Sequence, residues 1–205
     1  MLQIELLSLV IWFPIIGGIL VLATGGERNA PIARKLALGF SVATFLLSLP
    51  LYTRFDKTSV GMQFVERVSW VDALHIEYYL GVDGISMPFI LLTSFLTIIV
   101  VIAGWEVIQK RTAQYMAAFL IMEGLMIGVF CALDAILFYL FWEAMLIPMF
   151  LIIGIWGGAN RVYAALKFFL YTLLGSLLML VAFVYLYFAG GSTFDILKFH
   201  EIALG

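Results

Sequence analysis

Long uninterrupted apolar runs dominate this chain. Residues 6–26, 36–53 and 84–105 carry no charged side chain, and residues 112–133 and 135–160 carry one each, Glu123 and Glu143. A further uncharged run covers 168–194. An apolar run of roughly 18 or more residues can cross the hydrocarbon core of a bilayer as a helix. The pattern therefore predicts six spanning helices, at about 6–26, 36–53, 84–105, 112–133, 135–160 and 163–190. The expected fold is an all-α polytopic membrane protein, a single integral-membrane domain over residues 1–205. The first run is expected to stay in the mature chain: five more follow it, and Gln3 and Glu5, rather than a basic leader, precede it.

Between the second and third runs the pattern changes. Residues 63–70 and 75–82 are rich in aromatic and β-branched side chains, and residues 71–74, with Asp72, separate them. This predicts a β-hairpin on the membrane surface within the loop 54–83. The other connections are short, so consecutive helices should pack antiparallel.

Composition removes the soluble alternatives. Hydrophobic residues make up 64% of the chain and charged residues 12%, with a mean hydropathy of +1.13. Soluble domains run near ~45–50% apolar and ~25% charged. A net charge of −2 leaves no basic footprint for nucleic acid. The lone Cys131 excludes an internal disulfide framework and a cysteine zinc cluster. Without a Gly-x-Gly-x-x-Gly fingerprint or a P-loop, neither NADH nor ATP binding is expected. His75 and His200 lack partners at metal-ligand spacing, and no arrangement suits an iron–sulfur cluster or haem.

Charge sets the expected orientation. The first, third and fifth connections carry Arg28, Arg34, Lys35, Lys110, Arg111, Arg161 and Lys167, against Arg54, Lys57, Arg67 and Lys198 on the other side. The positive-inside rule then puts the first group in the cytoplasm and both chain ends in the periplasm. Trp12, Trp70, Trp105 and Trp156 fall at or near the expected interfaces, as an aromatic belt would.

Two residues stand out as chemistry. An acid inside a span costs at least ~2.5 kcal/mol by insertion scales, so it faces a cavity or a partner and marks a functional position. Low-dielectric burial favours a neutral carboxyl, which brings proton exchange toward neutral pH, the requirement of a relay. Glu143 lies well inside the fifth span, and Pro148, lacking an N–H, leaves the Ala144 carbonyl beside it without a helical partner. Glu123 lies near the middle of the fourth span. Counted from a turn near Leu133, the two acids sit equally far along their helices, so they should share a depth. Lys167, with Tyr171, Thr172 and Ser176 beyond it, is a weaker transport candidate and a natural snorkelling residue. Gly124 and Gly128 form a small-xxx-small pair that suits helix packing. Asp134 reads as a solvated turn acid.

The stretch Phe138-Tyr139-Leu140-Phe141-Trp142-Glu143-Ala144-Met145-Leu146-Ile147-Pro148-Met149 resembles the fifth-helix signature of the antiporter-like subunits of respiratory complex I. Lys167-Phe168-Phe169-Leu170-Tyr171-Thr172 is similar to the family's sixth helix, and Val82-Asp83-Gly84-Ile85-Ser86 to its entry into the third. The resemblance covers nearly all of the chain. It implies a fold of about fourteen spanning helices with inverted repeats, and proton pumping along buried acids and lysines, coupled to NADH oxidation and quinone reduction. It also implies that Glu143 is the fifth-helix glutamate, whose lysine partner lies on a seventh helix beyond Gly205. The chain would then be the N-terminal portion of a longer subunit, unable to pump alone. Its partners would be the other membrane subunits and the lipid bilayer of a bacterial inner membrane, and indirectly the quinone pool. NADH, FMN, iron–sulfur clusters and quinone would be handled by other subunits.

Three other readings stand beside this one. The same helices recur in multisubunit cation/proton antiporters and in membrane-bound hydrogenases. A purely structural scaffold would use Glu123 and Glu143 as interhelical hydrogen-bond glue.

Overall fold

The computed structural model describes residues 5–199 and 202, so His200 and Glu201 lie outside the described residues. Six helices are long and apolar enough to cross a membrane: α1 (Leu6–Ala23), α2 (Ala30–Thr53), α3 (Ser86–Val107), α4 (Thr112–Cys131), α5 (Ala135–Trp156) and α6 (Arg161–Ala189). A short α7 (Ile196–Phe199) follows. The six expected spans and the hairpin are all present, with shifted ends.

Each shift has a local cause. α1 stops before Gly25 and Gly26, whose φ values of 58° and 47° turn the chain out of the helix. α2 begins well before residue 36. Pro31 suits a first helical turn, and the charges of Arg34 and Lys35, which end the apolar run, are tolerated at a helix end. α4 ends at Cys131 because the next residues join the hairpin: the Leu133 N–H donates to the Tyr79 carbonyl at 2.8 Å. α5 stops before Gly157 and α6 before Gly190, which cap them.

The hairpin pairs β1 (Gln63–Val71) with β2 (Ile76–Val82) in antiparallel register, Glu66 opposite Leu80 and Arg67 opposite Tyr79, around a 3₁₀ turn at Asp72–Leu74. Its two strands differ. β1 is largely exposed, whereas β2 buries Ile76, Tyr79, Leu80 and Val82 against the bundle. Glu66 fixes the pair to α1: its carboxylate accepts from the Leu7 N–H at 2.7 Å and from the N–H and hydroxyl of Ser8. These are donors that the first turn of a helix leaves unsatisfied. Tyr78 joins the same corner, with its hydroxyl 2.9 Å from Ser8 Oγ and accepting from Trp12 Nε1 at 3.1 Å. Burial pushes this phenol up from its ordinary range.

Asp134 corrects the expectation of a solvated turn acid, being 1% exposed. Oδ1 caps α5, accepting from Ile136 N–H at 2.9 Å and Leu137 N–H at 3.0 Å, while Oδ2 accepts from Glu77 N–H of β2 at 3.1 Å. Burial raises its carboxyl, and these three amides pull the other way. Nearby, Arg67 pairs with Glu77 at 2.7 Å and reaches Asp195 at 3.7 Å. Glu77 holds the guanidinium above its usual value.

Consecutive helices pack against one another, and α1 also packs along α4. Glycines make that approach possible. A Cβ at Gly124 would strike the Ile11 carbonyl oxygen, and one at Gly18 would lie 2.9 Å from the Ala117 carbonyl oxygen. Gly128 faces the other way, against the Phe141 ring of α5. The small-residue pair thus serves two interfaces.

Candidate proton-transfer site

α4 is the most enclosed of the spanning helices, and Glu123 lies at its middle. Glu123 is 1% exposed, and neither carboxylate oxygen has a hydrogen-bond partner among the described residues. Its position has a pattern behind it. One apolar cluster at the hairpin end of the bundle contains Ile15, Leu51, Ile90 and Ile127. A second at the other end contains Val21, Ala37, Val101 and Leu120. The buried polar side chains Ser41, Thr44 and Ser48 of α2, Thr93, Ser94 and Thr97 of α3, and Glu123 of α4 all fall between those positions on their helices. A polar layer therefore divides the core at mid-height.

The hydroxyls of this layer are spent locally. Ser41, Thr44, Ser48, Thr93, Ser94 and Thr97 each donate to a carbonyl three or four residues earlier on their own helix. Ser48 and Ser94 also meet across α2 and α3 at 3.2 Å. Back-bonding of this kind uses the donor and leaves oxygen lone pairs as acceptors. The sequence reading passed over these residues because single hydroxyls in apolar helices are common; their shared height appears only once the helices are packed.

Glu143 lies eight residues into α5 from Ala135, and Glu123 eight residues before the end of α4 at Cys131. At 1.5 Å per residue both sit about 12 Å from the α4–α5 turn, so the expected common depth holds. Glu143 is half-buried, and its Oε1 is enclosed without a hydrogen-bond partner. Tyr139 lies one turn earlier on α5, at the spacing that puts it on the same helix face as Glu143, a neighbour that sequence reasoning did not single out. An i, i+4 scan from Glu143 would have found it. Pro148 is buried inside α5, which runs on through it, so the Ala144 carbonyl lacks its helical N–H.

Lys167 stands apart from both acids. It lies in the second turn of α6, exposed, with its amine 5.8 Å from the Tyr163 ring centroid. Tyr171 is 82% exposed and Ser176 is buried, so the polar residues beyond Lys167 do not share one face of α6. Among the described residues no group of three or more His, Cys, Asp or Glu side chains could hold a metal ion.

Two family models match adjoining parts of the chain: "NADH-ubiquinone oxidoreductase chain 4, amino terminus" over residues 36–132, and "NADH:quinone oxidoreductase/Mrp antiporter, TM" over 132–204. The chain is 53% identical over 193 residues to NADH-quinone oxidoreductase subunit M of Rhodobacter capsulatus, covering 92% of this chain and 37% of that protein. It is 47% identical to NADH-ubiquinone oxidoreductase chain 4 of Arabidopsis thaliana, over 91% of this chain and 38% of the relative. It thus spans less than two fifths of the length of these relatives. Among solved structures, a chain of respiratory complex I from Thermus thermophilus with bound NADH superposes with a TM-score of 0.82 at 28% identity, over 97% of this chain and 40% of that one.

Proposed function

Because the chain belongs to the NADH:quinone oxidoreductase/Mrp antiporter family of membrane subunits, we propose that it is the N-terminal portion of a complex I membrane-arm subunit in which Glu123 and Glu143 pass protons. One observation carries the reading: two acids at a common depth, with three of their four carboxylate oxygens enclosed and unpaired among the described residues. Buried polar groups kept for structure have their hydrogen bonds made. Leaving one unmade costs about 1–3 kcal/mol, more for a charge. Glu123 is enclosed by this portion alone at 1% exposure, and as interhelical glue within the bundle it would show its bonds, so its two unpaired oxygens favour a role in which the carboxyl changes partner or proton. The subunit M and chain 4 relatives favour complex I over an antiporter or a hydrogenase.

In this reading Glu143 exchanges a proton with a basic partner supplied by the rest of the subunit, and Tyr139 shares its helix face one turn away. Glu123 holds the second proton at the same height, within the hydroxyl layer. Lys167, exposed near one end of α6, serves position in the bilayer rather than transfer. Redox chemistry with NADH, FMN, iron–sulfur clusters and quinone takes place in other subunits. The chain resides in the inner membrane, with the basic connections on the cytoplasmic side and both described ends on the periplasmic side.

The test is Glu143→Gln in the complete assembly. NADH-driven proton pumping should fall severely, while assembly and NADH oxidation with an artificial acceptor persist. Normal pumping by that variant would refute the relay.

A further inference from the structure

α3 and α4 run antiparallel, and two contacts fix their register. Phe89 stacks on Phe130, with ring centroids 5.4 Å apart, and a Cβ at Gly104 would lie 2.8 Å from the Tyr115 ring. Phe89 and Gly104 are fifteen residues apart, as are Phe130 and Tyr115, so the two helices keep step over that length. Glu123 is seven residues from Phe130, and residue 96 is seven from Phe89. Glu123 therefore sits at a height between Thr93 and Thr97. Both threonines are buried, and they follow Phe89 at four-residue spacing, on the stripe of α3 that meets α4. Phe130 lies two turns from Glu123 on the same stripe of α4, so Glu123 faces α3. Gly128, which meets Phe141 of α5, lies about 140° round the helix from it. The two acids share a depth, but Glu123 turns away from α5.

The chemistry of this seam is one-sided. Thr97 donates to the Thr93 carbonyl at 3.0 Å, and Thr93 to the Phe89 carbonyl at 2.8 Å. A hydroxyl has one hydrogen, so each now offers only lone pairs to any further neighbour. An ionised carboxylate also only accepts. Acceptors do not bond one another, and a molecule that donates twice must stand between them. Glu123 is 1% exposed, and both of its oxygens lack a partner among the described residues. Apolar clusters close the layer toward either end. The seam is thus enclosed by this portion of the chain itself. Buried water makes about three hydrogen bonds to groups of this kind.

We propose that ordered water occupies the α3–α4 seam and bridges the Glu123 carboxyl to the hydroxyls of Thr93 and Thr97. Water donates to a carboxylate and accepts from a protonated carboxyl, so it serves Glu123 in both states. A proton leaving the carboxyl passes to the water oxygen, and the electron pair of the broken O–H bond stays on the carboxylate. Glu123 then exchanges its proton on the α3 side, through water, and not with Glu143 directly. That step rests on the proton-transfer reading above; the water site itself does not.

The test is a cryo-electron microscopy map of the complete assembly at a resolution that shows ordered water. Density should lie within hydrogen-bond distance of a Glu123 carboxylate oxygen and of the Thr93 or Thr97 hydroxyl. Thr93→Val/Thr97→Val keeps the side-chain shape and removes both hydroxyls, and the density should be lost. In Thr97→Val, which serves if the double variant fails to assemble, the contact at residue 97 should disappear, and Thr97→Ser should keep it. No density in the native assembly, or density unchanged in these valine variants, overturns the proposal. Contacts to oxygen clearly shorter than the ~2.7 Å of a water hydrogen bond would mark a cation and overturn it as well. Glu123→Gln separates the two readings. Normal pumping by that variant, beside a native map that shows the water, sinks the relay through Glu123 and leaves the water site standing. Lost pumping beside a native map without the water sinks the water site alone.

Discussion

Replacing Gly124 with alanine tests how closely α4 rides on α1. The new Cβ would lie 2.5 Å from Ile15 Cγ1 and against the Ile11 carbonyl oxygen. Ordinary contact begins near 3.5 Å. The side chain could turn aside, but a backbone carbonyl cannot, so α1 and α4 must separate by roughly 1 Å or strain. Overpacking of this kind costs about 1–3 kcal/mol. Alanine also gains about 0.8–1 kcal/mol of helix propensity over glycine, which would mask part of the cost. Gly39 of α2 and Gly175 of α6 supply the correction: both are exposed, and a Cβ at either meets nothing within 4 Å. Gly39→Ala and Gly175→Ala should be neutral or stabilising, and Gly124→Ala should fall about 1–3 kcal/mol below them. Gly18→Ala acts on the same interface, through Ala117 and Ile121, so its cost should not add to that of Gly124→Ala. The assay is reversible unfolding in mixed micelles of increasing dodecyl sulfate fraction, followed by circular dichroism. If Gly124→Ala matches Gly39→Ala within about 0.5 kcal/mol, the close approach of α1 and α4 is wrong. Glu123, the next residue along, would then lose its explanation for being so enclosed.

Glu66→Ala should destabilise the bundle by about 1 kcal/mol, up to ~2, because the Leu7 and Ser8 amides lose their acceptor; an unchanged dodecyl sulfate midpoint would contradict this. The Ser86 amide, first among several donors, holds the Asp83 carboxyl below the usual range. A depressed acid stabilises the fold above its unfolded value of about 3.9 and loses that as pH falls through the folded value. Hydrogen-exchange protection of Ile85 and Ser86 should therefore hold at neutral pH and drop below about pH 4; protection that stays flat down to pH 2 would refute the cap. Cysteines at Ser69 and Gln114, both exposed, should label from opposite faces of sealed vesicles. Thr112 is too buried to serve, and labelling of both sites from one side would overturn the six-span path.

The six helices and the hairpin were legible because each rests on one continuous stretch of sequence. Apolar runs separate spans from connections whatever the packing. The start of α2 was misplaced because Arg34 and Lys35 end the charge-free run, although a helix can carry charges in its first turns. Glu123 and Glu143 were legible for the same reason that they are expensive: an acid in an apolar run stands out. Their rotation was not, since a spanning helix is apolar toward both lipid and protein, and its sequence does not mark which face turns inward. Asp134 was misread because the Glu77 amide that it holds is 57 residues away. Glu66 is the same case, capping a helix 59 residues upstream. Long-range caps of this kind leave no local trace, and neither does the common height of Ser48, Ser94 and Glu123.

The junction at Leu133 and Asp134 also bears on the order of biosynthesis. Leu133 receives its acceptor from Tyr79 and offers its own carbonyl to Ile196 N–H at 2.9 Å, while Ala135 N–H donates to Phe194 at 2.8 Å. Asp134 binds Glu77 on one side and starts α5 on the other. A chain made from its N-terminus presents the hairpin first, so the α4–α5 turn meets a ready template when it is translocated. The segment 194–196 arrives last and closes over a seam already formed. A ribosome paused within α6 would leave a five-helix intermediate complete at this junction except for two hydrogen bonds, so the step that seals it is the exit of α6 and not the folding of the hairpin.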